Sequence, residues 1–168
     1  TPKTLSQLNN YFSYKLAEQM GVLAGKSELV WLNINGEPDG VHILIEQPRE
    51  ETLRRSKRMP GDIYRAEIVG WKDRFNGSQI GSIFKSKSVW DKMAINNHYP
   101  DTADAAIAQL ILLLKDFKSE KSQKGLMKLL DIDAWARFSA LEVLTQSIHT
   151  DNVHNVRLYY DPWKQKLE

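Results

Sequence analysis

Apolar positions recur at helical spacing near the start of the chain. Leu5, Leu8, Phe12, Leu16 and Met20 share one face, and Gly21 supplies the stop. Residues 29–34 and 41–46 are instead rich in β-branched side chains and flank Asn35-Gly36, which predicts two strands joined as a hairpin. Pro48 breaks the second strand; residues 50–58 predict a short charged helix, ended near Pro60-Gly61, and 63–69 a further strand. Between 70 and 99 the periodicity is poor, which predicts loops with short helical turns. Helical spacing returns in a segment capped by Thr102 and running to about Phe117, in 119–130, and in a last helix capped by Asp131 or Asp133. That last helix carries Trp135, Phe138, Leu141 and Leu144 on its apolar face and fades at Thr145-Gln146-Ser147. A polar loop, a strand, a tight turn and the start of another strand close the chain. The order is α+β rather than alternating βαβ, with a small antiparallel sheet before a mostly helical half.

Composition narrows this only slightly. The 168 residues suit one domain with a real core, and 42% hydrophobic with 26% charged residues is ordinary for a globular chain. The net charge of +2 selects no acidic partner, and no apolar run reaches membrane-spanning length. The absence of Cys removes disulfides, zinc–thiolate sites and a thiol nucleophile. Thr1-Pro2 and the stop at Glu168, inside an expected strand, predict part of a longer domain.

The chemistry concentrates in residues 149–155, where two His, one Asp and two Asn lie in seven positions between a helix and a strand. Asp151 has the character of a base that could accept a hydroxyl proton, and Asn155 offers an oxygen to a hard cation. From the residues alone, a loop Asp that caps a turn and an Asn that closes the loop are the alternatives. His149 and His154, five apart with no third ligand nearby, make a poor zinc site and are assigned structural roles. Arg54, Arg55, Lys57 and Arg58 form a basic cluster that either recruits an acidic substrate or is a solvated helix face. Aromatic and lysine residues interleave in 84–90, but nothing in the sequence puts them on one surface, so no nucleic-acid partner is expected.

Two stretches together resemble the CotH kinase family, the spore coat protein H-like atypical protein kinases. The first is the hairpin with Asn35-Gly36, Gly40 and an apolar strand ending in Glu46; the second is Asp151, followed by His154-Asn155 and then Leu158-Tyr159-Tyr160-Asp161. Ile63-Tyr64-Arg65 stands where the family has Leu-Tyr-Lys, and the helix ending at Gly21 matches the one before the family's hairpin. The resemblance covers nearly the whole chain. It implies an atypical protein-kinase-like fold, with residues 1–47 from a small lobe and 48–168 from a large one. It also implies an ATP- and Mg²⁺-dependent transfer of phosphate to Ser or Thr of a protein substrate. Asp151 would be the catalytic base and Asn155 a metal ligand, while Glu46, Gln47 and Arg65 would bind nucleotide. A spore coat, cell-surface or extracellular setting goes with the family.

Several positions depart from the family pattern. His-Thr-Asp replaces His-Arg-Asp before the loop, Arg65 replaces Lys, Asn9 stands for Arg and His42 for Tyr. The family's phosphate-binding Lys and second metal-binding Asp fall outside the two ends of this chain. A non-catalytic surface or coat-assembly module that keeps the fold is therefore the alternative reading.

Overall fold

The computed structural model describes residues 5–68, 81–94, 103–147, 150 and 153–168. Five α-helices and two antiparallel sheets are formed among them. Helix α1 (Leu5–Gln19) is followed by strands β1 (Ser27–Ile34) and β2 (Glu37–Ile45), helix α2 (Glu50–Arg55) and strand β3 (Asp62–Ala66). Two 3₁₀ turns lead into β4 (Trp90–Ala94). Helices α3 (Ala103–Lys115), α4 (Glu120–Leu129) and α5 (Ile132–Thr145) then precede β5 (Val156–Asp161) and β6 (Lys166–Leu167). The α+β class expected from the sequence is what the chain adopts. No helix among the described residues is long and apolar enough to cross a membrane.

Local chemistry explains most boundaries. Asn35 and Gly36 both have positive φ, 53° and 90°, as the two-residue hairpin turn requires. The hairpin is longer than expected, because Pro38 is accommodated within β2, opposite Asn33, beside a register shift. An edge strand tolerates the missing N–H. Helix α1 ends at Gly21 (φ 69°), with Val22 N–H donating to the Ala17 carbonyl and Gly21 N–H to that of Glu18. The same pair of bonds ends α2 at Lys57 and α5 at Gln146, both left-handed without being glycine. Ser119 and Asp131 cap α4 and α5 by accepting from the N–H groups of Ser122 and Ala134. The expected Thr102 cap lies outside the described residues.

Two corrections concern apolar faces. Phe12, expected on the buried stripe of α1, is 60% exposed, and Leu144 on α5 is 66% exposed. Helix α1 packs against β1 and α5, but among its residues with described burial only Ala17 is buried. A third correction is β4, which was expected to be loop. Its five residues become a strand by pairing with β3.

The larger sheet runs β4-β3-β5-β6, all antiparallel, and divides the core. Tyr64, Ala66, Val156, Leu158 and Tyr160 face α3 and α4, where Ile107, Leu110 and Leu129 complete the main cluster. On the opposite face Ile63 and Tyr159 bury Leu53 of α2 in a second, smaller cluster. Trp135 and Trp90 donate their indole N–H to the carbonyls of Leu167 and Ile83, which removes their polar edges from the accounting. Glu168 exchanges both backbone hydrogen bonds with Tyr159, extending the pairing of β5 to the last residue.

Candidate functional site

Strand β3 brings Arg65 into the neighbourhood of the loop that precedes β5. The register pairs Arg65 with Arg157 and Ala66 with Val156, and Ile68 N–H donates to the Val153 carbonyl at 2.9 Å. Residues 153–155 therefore pass the end of β3, almost ninety positions away in sequence. Asn155 is exposed, with φ 63°, a conformation Asn adopts at less cost than most residues. His154, just before it, is half-buried. Asp151 and His149 lie outside the described residues.

Arg65 lies on the sheet face opposite the main core. Its guanidinium meets the Asp91 carboxylate of β4 at 3.8 Å, and both side chains are well exposed. An ion pair so solvated and so long contributes little, so Arg65 is available to another anion.

Glu46 and Gln47 stand elsewhere, at the end of the hairpin. The Glu46 carboxylate accepts from the Lys26 N–H at 2.9 Å and from the Arg55 guanidinium at 2.5 Å, and its own N–H donates to the Lys26 carbonyl. Burial pushes this carboxyl upward. The Lys26 amide, Arg55 and Thr52 outweigh it, and the net shift is below the usual glutamate range. Gly25 packs on the Glu46 carbonyl so closely that a Cβ there would collide with it. Glu46 is thus bound into the hairpin's base, and Gln47 beside it is exposed.

Three members of the basic cluster are paired with carboxylates of this chain. Arg54 pairs with Glu50, Arg55 with Glu46, and Arg58 with Glu168 at 2.6 Å in a largely buried bridge. Arg58 also donates to the carbonyls of Gly21 and Ser56, tying α1, α2 and the end of β5–β6 together. Arg55, Lys57 and Arg58 line a cleft of about 180 Å³ with Glu18 and Gly21. Arg54, Arg55 and Lys57 are exposed, as a solvated face requires, while the buried bridge of Arg58 to Glu168 is a structural use that the sequence reading did not include. In the 84–90 stretch the half-buried Phe84 and the buried Trp90 contact each other at 5.8 Å between ring centres, while Lys85 and Lys87 are exposed.

Asn155 is one oxygen donor, and no group of three or more acidic or His side chains that could hold a metal exists among the described residues. Those residues by themselves do not make a metal centre.

A small hairpin sheet carrying one helix, joined through α2 to a sheet backed by helices, is an α+β arrangement that fits a kinase-like fold. Residues 5–168 match the family model described as CotH kinase protein. The chain belongs to the CotH kinase family. No curated protein matches it. Sequence reading missed Arg157 and Asp91, because strand register alone makes them neighbours of Arg65.

Proposed function

We propose that the protein is an ATP- and Mg²⁺-dependent phosphotransferase acting on Ser or Thr hydroxyls of a protein. The observation that supports this reading best is the pairing of β3 with β5. It sets Arg65, a cation suited to phosphate oxygens, beside the strand entered through His154-Asn155. The acceptor hydroxyl oxygen attacks the terminal phosphorus as the bond to the bridging oxygen breaks, and ADP leaves with that electron pair. Asp151 takes the hydroxyl proton. Arg65 holds phosphate oxygens, Asn155 supplies one ligand to a divalent cation, and backbone groups at Glu46 and Gln47 meet the base between a 1–47 part and a 48–168 part. When bound, the cation offsets phosphate charge. The Glu46 N–H is already committed to Lys26, so Gln47 carries most of that contact.

A transfer assay with labelled ATP and a Ser-rich acceptor tests the reading. Asp151→Asn should fold and lose about 10²–10⁴-fold in rate, since an amide cannot accept the proton. Asn155→Ala should raise the metal concentration needed. An unchanged rate for Asp151→Asn would show that Asp151 is not the base. The second reading, a non-catalytic surface or coat-assembly module, is favoured by one observation: the hairpin exposes Leu29, Trp31, Ile34, Val41 and Leu44. An absence of transfer by the unaltered protein would leave that reading in its place.

A further inference from the structure

Arg65 and Arg157 are register partners in the β3–β5 ladder and point to the same face of the sheet. Their side chains start about 5 Å apart, and like charges directly opposite destabilise a sheet. Few groups compensate them. Asp91 reaches Arg65 at 3.8 Å from β4, and Glu67 shares the face two positions beyond Arg65. Arg157 is exposed, and its side chain makes no ion pair or hydrogen bond among the described residues. This contrasts with Arg54, Arg55 and Arg58, each of which is matched to a carboxylate. Two arginines that are direct register partners on one face of the β3–β5 ladder, the second with no carboxylate partner among the described residues, are placed so that one oxyanion could lie between them. A phosphate accepts bidentate donors from both, and the ladder supplies the preorganisation.

We infer that Arg157 joins Arg65 in a two-arginine clamp for the phosphate chain of the nucleotide, two residues along β5 from Asn155. The inference rests on the nucleotide reading of this face, and Arg157 is the residue it adds. Bound phosphate relieves the like-charge repulsion, so ligand should stabilise the sheet while loss of one arginine should not harm the empty protein.

Calorimetric titration of the protein with ATP, inorganic tripolyphosphate and adenosine tests the clamp, with melting curves for each variant. ATP and tripolyphosphate should bind, and Arg157→Gln should weaken both by about tenfold, the scale of one charge-assisted hydrogen bond. Arg65→Gln with Arg157→Gln together should cost less than the sum of the two singles, because both hold one group. Adenosine should be unaffected. The unliganded Arg157→Gln protein should melt at or above the unaltered protein, which separates lost binding from lost folding. Unchanged affinity for both phosphate ligands in Arg157→Gln would overturn the clamp and leave the nucleotide reading intact. Arginine-dependent binding of tripolyphosphate without any binding of ATP would overturn the nucleotide reading and the nucleotide as the clamp's ligand, leaving the two arginines as an oxyanion site alone. No binding of either phosphate ligand would overturn the clamp.

Discussion

The two sheets of this protein are stabilised differently. The four-stranded sheet is covered on one face by α3 and α4 and partly on the other by α2, and its strands bury Tyr64, Ile63, Leu158 and Tyr159. The β1–β2 hairpin is apolar on both faces, yet Trp31 is 65% exposed and Leu44 56%. An isolated two-stranded ribbon is marginal in water. The hairpin is held at its base instead, by α1 against β1 and by the Glu46–Arg55–Lys26 contacts. Burial secures one sheet, and a polar latch secures the other.

That contrast can be broken by substitution, beginning with the core. Leu110→Ala on α3 empties a fully buried site and should cost about 2–5 kcal/mol. Leu44→Ala on the hairpin should stay within about 0.5 kcal/mol. Urea unfolding read by linear extrapolation compares them. Equal losses would mean that the hairpin's apolar face is covered in solution.

Ion pairs give a second, smaller test. Arg58→Met leaves Glu168 buried without its partner and frees two carbonyls, so a loss of about 3 kcal/mol is expected. Arg54→Met breaks only the exposed pair with Glu50 and should change stability by less than about 0.5 kcal/mol. The same unfolding measurement separates the two.

The latch should respond to acid. The Glu46 carboxyl is held below its ordinary value in the folded chain, so its contribution is complete above the unfolded value near 4.5. It fades as pH falls through the lower folded value, because protonation is then coupled to release of the latch. Glu46→Gln should lower stability at neutral pH and flatten that part of the acid limb, read from melting temperatures between pH 3 and 7. Asp131, likewise shifted downward against its burial by the Ala134 N–H and Lys164, should leave part of the slope in place.

The smallest effect concerns the end of α2. Lys57 occupies a left-handed position with φ 55°. Lys57→Gly should raise stability by up to about 1 kcal/mol, since glycine adopts this conformation without a Cβ penalty. A fall in melting temperature would show that the lysine side chain makes a stabilising contact at the cleft.

Much of this architecture is legible in the sequence, because its signals are local. Asn35-Gly36 specifies a turn through backbone conformations that few other residues accept. Gly21 ends α1, and Ser119 and Asp131 begin α4 and α5, through hydrogen bonds within a few positions. The helical spacing of α3 survives as a buried face. The loop carrying His154-Asn155 could be marked as chemistry because polar groups crowd there. Other features depend on distant partners. Trp90-Asp91-Lys92-Met93-Ala94 has no strand alternation, and only β3 makes it a strand. Phe12 and Leu144 satisfy helical periodicity, but spacing cannot say whether a neighbouring element comes to cover them. The basic residues of α2 carry the same charge in any fold, and only the tertiary structure set Glu46 and Glu168 against Arg55 and Arg58. Nothing within four residues of either arginine links Arg65 to Arg157. Their meeting is a consequence of register, which is set by which side chains the sheet must bury.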